Sequence, residues 1–259
     1  MFLSTIEKIK REEVERRKRS LPIEVMEKNL ERIPLRNFYS SLFLTEGISI
    51  IAEVKKSSPS RGVIIEEYNP VSLAKEYEKL GAKAVSVLTE EKYFKGDIKH
   101  LEEVKKSINL PVLRKDFILD RYQVYESRFY GADCILLISR LLSSEKLIEL
   151  VKFSLDLGME VIVEIHTQED LKKALLTETR IIGINHRDLD TFHIDLSCSF
   201  RLIKSIPADY KIICESGIRK SQDLVPLINL GIRCFLIGEA FLTSSDRKKL
   251  FTEFLAARR

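Results

Sequence analysis

From Ile48 onward the chain alternates short β-branched runs with longer segments of helical period, and this alternation limits the possible fold more than any other feature. The strand-like runs are ISIIAEV from Ile48, KAVSVLT from Lys83, PVLRKD from Pro111, ADCILLI from Ala132, EVIVEIH from Glu160, RIIGIN from Arg180, YKIICES from Tyr210 and RCFLIG from Arg233. Intervening segments such as NPVSLAKEYEKLGA and SSEKLIELVKFSLDLG carry apolar residues at three- and four-residue spacing. Several close on glycine, at Gly81, Gly131, Gly158 and Gly231, where a left-handed residue ends a helix. Eight strand–helix units in about 210 residues suit a closed barrel better than an open doubly wound sheet, which usually carries fewer strands or a glycine-rich first turn. No G-x-G-x-x-G or Walker sequence is present. The expected fold is α/β, a (β/α)8 TIM barrel over residues 47–259, preceded by an N-terminal helical extension over residues 1–46 packed on the barrel.

The extension has its own pattern. Phe2, Leu3, Ile6 and Ile9 form a helical stripe, while KIKREEVERRKRS is densely charged with both signs. Two readings stay open: a helix laid across one mouth of the barrel, or a solvated surface helix. A third, a basic arm for nucleic acid, is weakened by Glu7, Glu12, Glu13 and Glu15, which interrupt the positive run.

A formal net charge of +4 on 259 residues mildly favours small anions and does not demand nucleic acid. The four cysteines, Cys134, Cys198, Cys214 and Cys234, are far apart and form no C-x-x-C pair, so buried reduced thiols are expected. No apolar stretch approaches the roughly 18 to 20 residues of a membrane span, and the N-terminus lacks a signal-peptide core. A cytoplasmic enzyme without a membrane or nucleic-acid partner is the expectation. The sequence does not fix oligomeric state, and a monomer is the simplest case.

Residues two apart on a barrel strand share a face, so parity sorts the candidates. Placing Ala52 and Val54 against helices turns Ile51, Glu53 and Lys55 inward. The corresponding inward sets are Leu113 and Lys115; Ile162, Glu164 and His166; Gly183, Asn185 and, further on, Arg187; and Ile213 and Glu215. Each strand begins apolar and turns polar only near its carboxyl end, the face on which barrel enzymes build their sites. Any one ion at a strand end is compatible with a structural salt bridge. Five such strands together imply a ligand, because burying so many polar groups otherwise costs too much. Three carboxylates (Glu53, Glu164, Glu215) against three cations (Lys55, Lys115, Arg187) leave the pocket near neutral and suited to acid–base work.

Two further segments suit a phosphate group. Ser216-Gly217 follows the seventh strand and Gly238-Glu239-Ala240 ends the eighth, where barrels commonly hold phosphate on backbone N–H groups. Helix entry also favours glycine, so these residues alone are weak evidence. On this reading a side chain at Gly217 or Gly238 would obstruct the anion, and the Glu239 carboxylate would point away from it.

IAEVKKSSPSRG (Ile51 to Gly62), VLTEEKYFKG (Val87 to Gly96), LPVLRKDFI (Leu110 to Ile118), GADCILLI, VEIH, IGINHRDL, ESGI and LIGEA resemble, in order and spacing, the indole-3-glycerol-phosphate synthases. The resemblance covers nearly the whole chain from Ile48, and the first, third and sixth motifs are highly specific. It implies a carboxy-lyase of tryptophan biosynthesis that converts 1-(2-carboxyphenylamino)-1-deoxyribulose 5-phosphate to indole-3-glycerol phosphate with loss of carbon dioxide and water, using no cofactor and no metal. By the resemblance, Lys115 is the general acid on the ribulose carbonyl oxygen and Glu164 moves protons in the dehydration, with Glu53 beside the same chemistry. Lys55 would meet the substrate carboxylate. Asn185, Arg187 and Glu215 would orient the substrate, and Phe94 and Phe117 would wall the anthranilate ring. Ser58, Ser216, Gly217, Gly238 and Glu239 match the phosphate positions, the last through its backbone. One departure stands out: His186 lies where many relatives carry a second asparagine, and parity turns it away from the interior, so a modest effect is expected.

Two rival chemistries share parts of this pattern. A Schiff-base aldolase would use Lys55 or Lys115 as a nucleophile. A divalent-metal barrel would draw on Glu164, His166 and His186, but His186 falls on the wrong face for a complete ligand set.

Overall fold

Eight parallel strands close into a barrel in chain order: β1 (Ser49–Val54), β2 (Ala84–Leu88), β3 (Val112–Lys115), β4 (Cys134–Ile138), β5 (Glu160–Ile165), β6 (Ile181–Asn185), β7 (Lys211–Glu215) and β8 (Cys234–Ile237). β8 returns to β1 with Ser49 opposite Cys234 and Ala52 opposite Ile237. This computed structural model describes residues 1–257. Among them, no helix is long and apolar enough to cross a membrane.

Local chemistry explains why helices follow the strands. Asn69, Asp97, Asp120, Ser143 and Thr167 each accept a backbone N–H at a helix start, and Asp120 with Gln123 and Thr167 with Asp170 form capping boxes. Gly81, Gly131, Gly158 and Gly231 all take positive φ where their helices end. The helices after β5 and β6 are short, Gln168–Ala174 and Cys198–Leu202. The four cysteines are buried and unpaired.

Alternation along the strands divides the core. Ile50, Ala52, Val54, Val85, Val87, Val112, Ile135 and Val161 pack outward under the helices. Ile51, Ala84, Leu113, Cys134, Leu136, Ile162, Ile181, Ile213 and Cys234 fill the barrel interior. Parity therefore holds within the strands. It fails at His166, which lies one residue beyond β5: its Nδ1 sits 2.8 Å from the Asn185 carbonyl and it does not line the interior cavity. Once the chain leaves the pleated ladder, nothing enforces a two-residue period.

The N-terminal extension covers both ends of the barrel. The helix Phe38–Phe43 inserts Phe38 and Leu42 against the interior layer that includes Ile51 and Ala84. Burying side chains of this size contributes about 1.5–3 kcal/mol each. The first helix, α1 (Phe2–Ser20), lies at the opposite, carboxyl end, where Phe2 packs edge-on against Tyr93, Phe117 and Phe192.

The charged stretch of α1 is not simply a solvated face. Lys10, Glu13 and Arg17 are buried. Lys10 Nζ pairs with Asp116 at 2.7 Å and Glu13 at 3.0 Å, and Arg17 reaches Glu126 at 2.8 Å. Arg114, the outward neighbour of Lys115, is fully buried and joins the same network through Asp116 at 3.1 Å and Glu126 at 2.9 Å. Such pairs are costly to bury but costly to break once assembled, so they fix α1 against the end of β3.

Candidate active site

The strand ends converge on one cavity at the carboxyl face. It is lined by every residue to which the family resemblance gave a role: Glu53, Lys55, Ser58, Phe94, Lys115, Phe117, Glu164, Asn185, Arg187, Glu215, Ser216, Gly217, Gly238 and Glu239. Seven of the eight strands, or the loops after them, supply these residues, which is why no short stretch of sequence contains the site.

At its floor, Lys115 Nζ lies 2.9 Å from Glu164 Oε2 and 2.6 Å from Glu215 Oε2. Burial opposes the ammonium, but Glu164 and then Glu215 more than offset it, so the Lys115 pKa is raised above the ordinary lysine value. Burial pushes the Glu215 carboxyl up to about 7; Lys115 pulls it down and Glu164 repels it upward. Glu215 Oε1 has no hydrogen-bond partner. It rests against Gly183, where an added Cβ would lie 2.6 Å away, so β6 needs glycine to let this carboxylate in.

Lys55, just past the end of β1, reaches back to Glu53 at 2.5 Å. Glu53 in turn presses on Gly238, where a Cβ would stand 2.5 Å from its Oε1. Asn185 accepts the Arg187 N–H at 2.9 Å and so shapes the chain leaving β6. Phe94 is held by Glu90, a buried carboxylate that accepts the N–H groups of Lys92, Tyr93 and Phe94. Ser57 ties the loop after β1 to this loop through the carbonyls of Tyr93 and Phe94.

A side chain on Gly217 would strike Ile194 and Leu196, and one on Gly238 would strike Glu53, so the packing of the protein itself already requires glycine at both positions. The Glu239 carboxylate faces Arg61 at 3.1 Å, Arg187 at 3.8 Å and Arg219 at 3.9 Å. Helical and strand periods gave no sign of this arginine cluster, because its members come from three separate loops.

Other lining residues went unpredicted. Phe2, Leu189, Phe192, Ile194 and Arg219 border the cavity. The apolar stripe at the start of α1 was a signal for Phe2, but its destination depended on where the helix docks. Of the two rival chemistries, the metal set is not assembled: His166 turns to the Asn185 carbonyl, and His186 is bonded to Ser216 O and Ser199 behind the barrel wall.

Comparison with known proteins agrees with this geometry. The family model described as indole-3-glycerol phosphate synthase matches residues 3–254. An indole-3-glycerol phosphate synthase of Aliarcobacter butzleri (strain RM4018) is 45% identical over 258 residues, covering 98% of each chain. One from Thermoanaerobacter pseudethanolicus (strain ATCC 33223 / 39E) is 44% identical over 255 residues, covering 98% of this chain and 97% of the relative. Among solved structures, 3-hexulose-6-phosphate synthase from Salmonella typhimurium superposes with a TM-score of 0.64 at 13% identity, covering 81% of this chain and 98% of that one, a likeness of fold alone. A match along almost the full length, together with a cavity built from the motif residues, establishes that the chain belongs to the indole-3-glycerol phosphate synthase family.

Proposed function

We propose that this cavity closes the indole ring of 1-(2-carboxyphenylamino)-1-deoxyribulose 5-phosphate, releasing carbon dioxide and water to give indole-3-glycerol phosphate. The observation that carries the reading is Lys115 Nζ held between Glu164 and Glu215 at 2.9 and 2.6 Å. Two carboxylates keep this lysine an ammonium, which suits a proton donor and opposes a Schiff-base nucleophile, since an amine must be neutral to attack.

The ring carbon that bears the carboxylate attacks the ketose carbonyl carbon. Negative charge grows on the carbonyl oxygen, and Lys115 first stabilises it and then gives it a proton. An alkoxide is far more basic than an amine, so even a lysine with a raised pKa can supply that proton. The ring, now a cationic iminium, draws in the bonding pair as carbon dioxide leaves, and no external electron sink is needed. The new hydroxyl then departs as water while the adjacent CH2 loses a proton, with Glu164 moving protons and Glu53 beside it. Lys55 meets the substrate carboxylate before it is lost.

In the same reading Asn185, Arg187 and Glu215 orient the ribulose chain, and Phe94 and Phe117 flank the aromatic ring. The phosphate rests on Ser58 and on the backbone of Ser216, Gly217, Gly238 and Glu239. Residues 1–46 form an extension to a catalytic barrel of residues 47–259, and the enzyme works in the cytoplasm as a monomer on a small phosphorylated substrate. Purified protein mixed with the carboxyphenylamino ketose should develop indole fluorescence. Absence of that signal, together with borohydride capture of a keto-sugar phosphate on Lys55 or Lys115, would replace this reading with an aldolase.

A further inference from the structure

We propose that His186 is a positioning residue for the substrate phosphate: its ring holds the Ser216 carbonyl and thereby aims the N–H of Gly217 into the cavity. The inference rests on the proposed placement of phosphate at Ser216 and Gly217.

His186 is the first residue past β6 and is fully buried. Its backbone N–H donates to the Glu215 carbonyl at 3.0 Å, extending the β6–β7 pairing by one step. Its side chain leaves the barrel on the side away from the cavity. There Nδ1 lies 3.0 Å from Ser216 O, and Nε2 lies 2.6 Å from Ser199 Oγ. Ser199 Oγ is in turn 3.2 Å from Cys214 Sγ on β7.

These contacts fix the ring's protons. A carbonyl only accepts, so Nδ1 carries the hydrogen. In the neutral ring Nε2 is then an acceptor, and the Ser199 hydroxyl donates to it. Burial lowers the His186 pKa and favours this neutral form.

The consequence for phosphate follows from the planarity of one peptide. The Ser216 carbonyl and the Gly217 N–H belong to the same trans peptide unit and point in opposite directions. Holding the carbonyl on the outer side therefore leaves the N–H directed to the inner side, where Ser216 and Gly217 border the cavity. Among the described residues, the Gly217 N–H donates to no acceptor in the chain. It is free for a ligand.

The turn needs such a hold. Ser216 has φ +66° and Gly217 φ +76°, two left-handed residues in succession, the first of them a residue with a side chain. That conformation is unfavourable for serine and persists only when the surroundings impose it. Ile194 and Leu196 pack against one side of Gly217, and the His186–Ser199 pair fixes the carbonyl on the other. Without the imidazole, the peptide would be free to rotate and the N–H would lose its fixed aim.

Three proteins test this: the unaltered chain, His186→Phe and His186→Asn. Phenylalanine keeps the ring volume and removes both nitrogens. Asparagine keeps a donor the same number of bonds from the backbone as Nδ1. Inorganic phosphate is used as a competitive inhibitor alongside measurements of KM and kcat. His186→Phe should weaken phosphate inhibition and raise KM by about three- to ten-fold, the loss of one positioned hydrogen bond, while kcat changes by less than about two-fold. His186→Asn should recover most of the phosphate affinity. Unchanged phosphate inhibition in His186→Phe, or an asparagine variant no better than the phenylalanine one, overturns the inference. If phosphate fails to compete in the unaltered chain, the placement of the phosphate site falls and this inference with it. A measurement on the unaltered chain guards against a phenylalanine variant that does not fold. Nitrogen NMR of labelled histidine should show His186 protonated on Nδ1, and protonation on Nε2 alone would overturn the assignment.

Discussion

The carboxylate of Glu53 occupies the space that a side chain on Gly238 would need, with Oε1 2.5 Å from where the Cβ would stand. β1 and β8 are neighbours in the barrel, so this contact is where the last strand meets the first. Gly238→Ala should push Glu53 and its partner Lys55 from their places. A displacement of about 1 Å at reacting groups can cost on the order of a hundred-fold, so kcat should fall by that order. Steady-state kinetics check it, and a variant that keeps more than half its turnover would show that the position of Glu53 is not critical.

Lys115→Ala should lower kcat by about a hundred- to ten-thousand-fold, the usual contribution of a general acid. It should also leave Glu164 and Glu215 buried side by side without their shared cation. The variant should therefore fold with a normal circular dichroism spectrum yet lose thermal stability at neutral pH, recovering on mild acidification as one carboxyl takes up a proton. Turnover above half of the parent value would remove Lys115 from the mechanism.

Glu215, pushed up to about 7, gives a pH dependence of defined sign. Between the ordinary carboxylate value and 7 the native state binds more protons than the unfolded chain. This group's contribution to stability is thus fully present at the acid end and is lost as pH rises through 7. Glutamine does not titrate, so the Tm of Glu215→Gln relative to the parent should rise from pH 5 to pH 8. A difference that stays flat across that range would mean the carboxyl titrates normally.

Lys10→Met tests the buried network between α1 and β3. Asp116 lies well below the usual carboxylate range because Lys10 and Arg114 offset the cost of its burial. Removing one partner of a buried pair costs about 3–5 kcal/mol, and Arg114 remains to limit the loss to the lower end. Urea unfolding at neutral pH should show a drop of this order. A change under about 1 kcal/mol would place Lys10 among ordinary surface pairs.

The sequence by itself determined the fold and most of the site, because both are written in short periods. Alternation put Ile51 and Glu53 on one face and Ala52 and Val54 on the other, and the closed barrel keeps that division. It also turned Lys115, Glu164, Asn185 and Glu215 toward a common interior, since each is the last or next-to-last residue of its strand. Beyond the strand ends this logic stops. His166 escapes the interior, and Lys55 and Arg187 border the cavity through loop paths that no alternation governs.

Only the tertiary structure decided which long-range partners meet. Lys10 and Asp116 lie far apart in the chain, as do Arg61, Arg187 and Arg219, which gather around Glu239. A charged residue in sequence has many possible partners, and solvent satisfies it as readily as an ion pair does. The choice falls to the docking of α1 and the closure of the barrel, which exclude water from some charges and leave others wet. His186 shows the same division within a single residue. Parity turned it away from the cavity, but its hold on the Ser216 carbonyl exists only because β6 and β7 lie side by side.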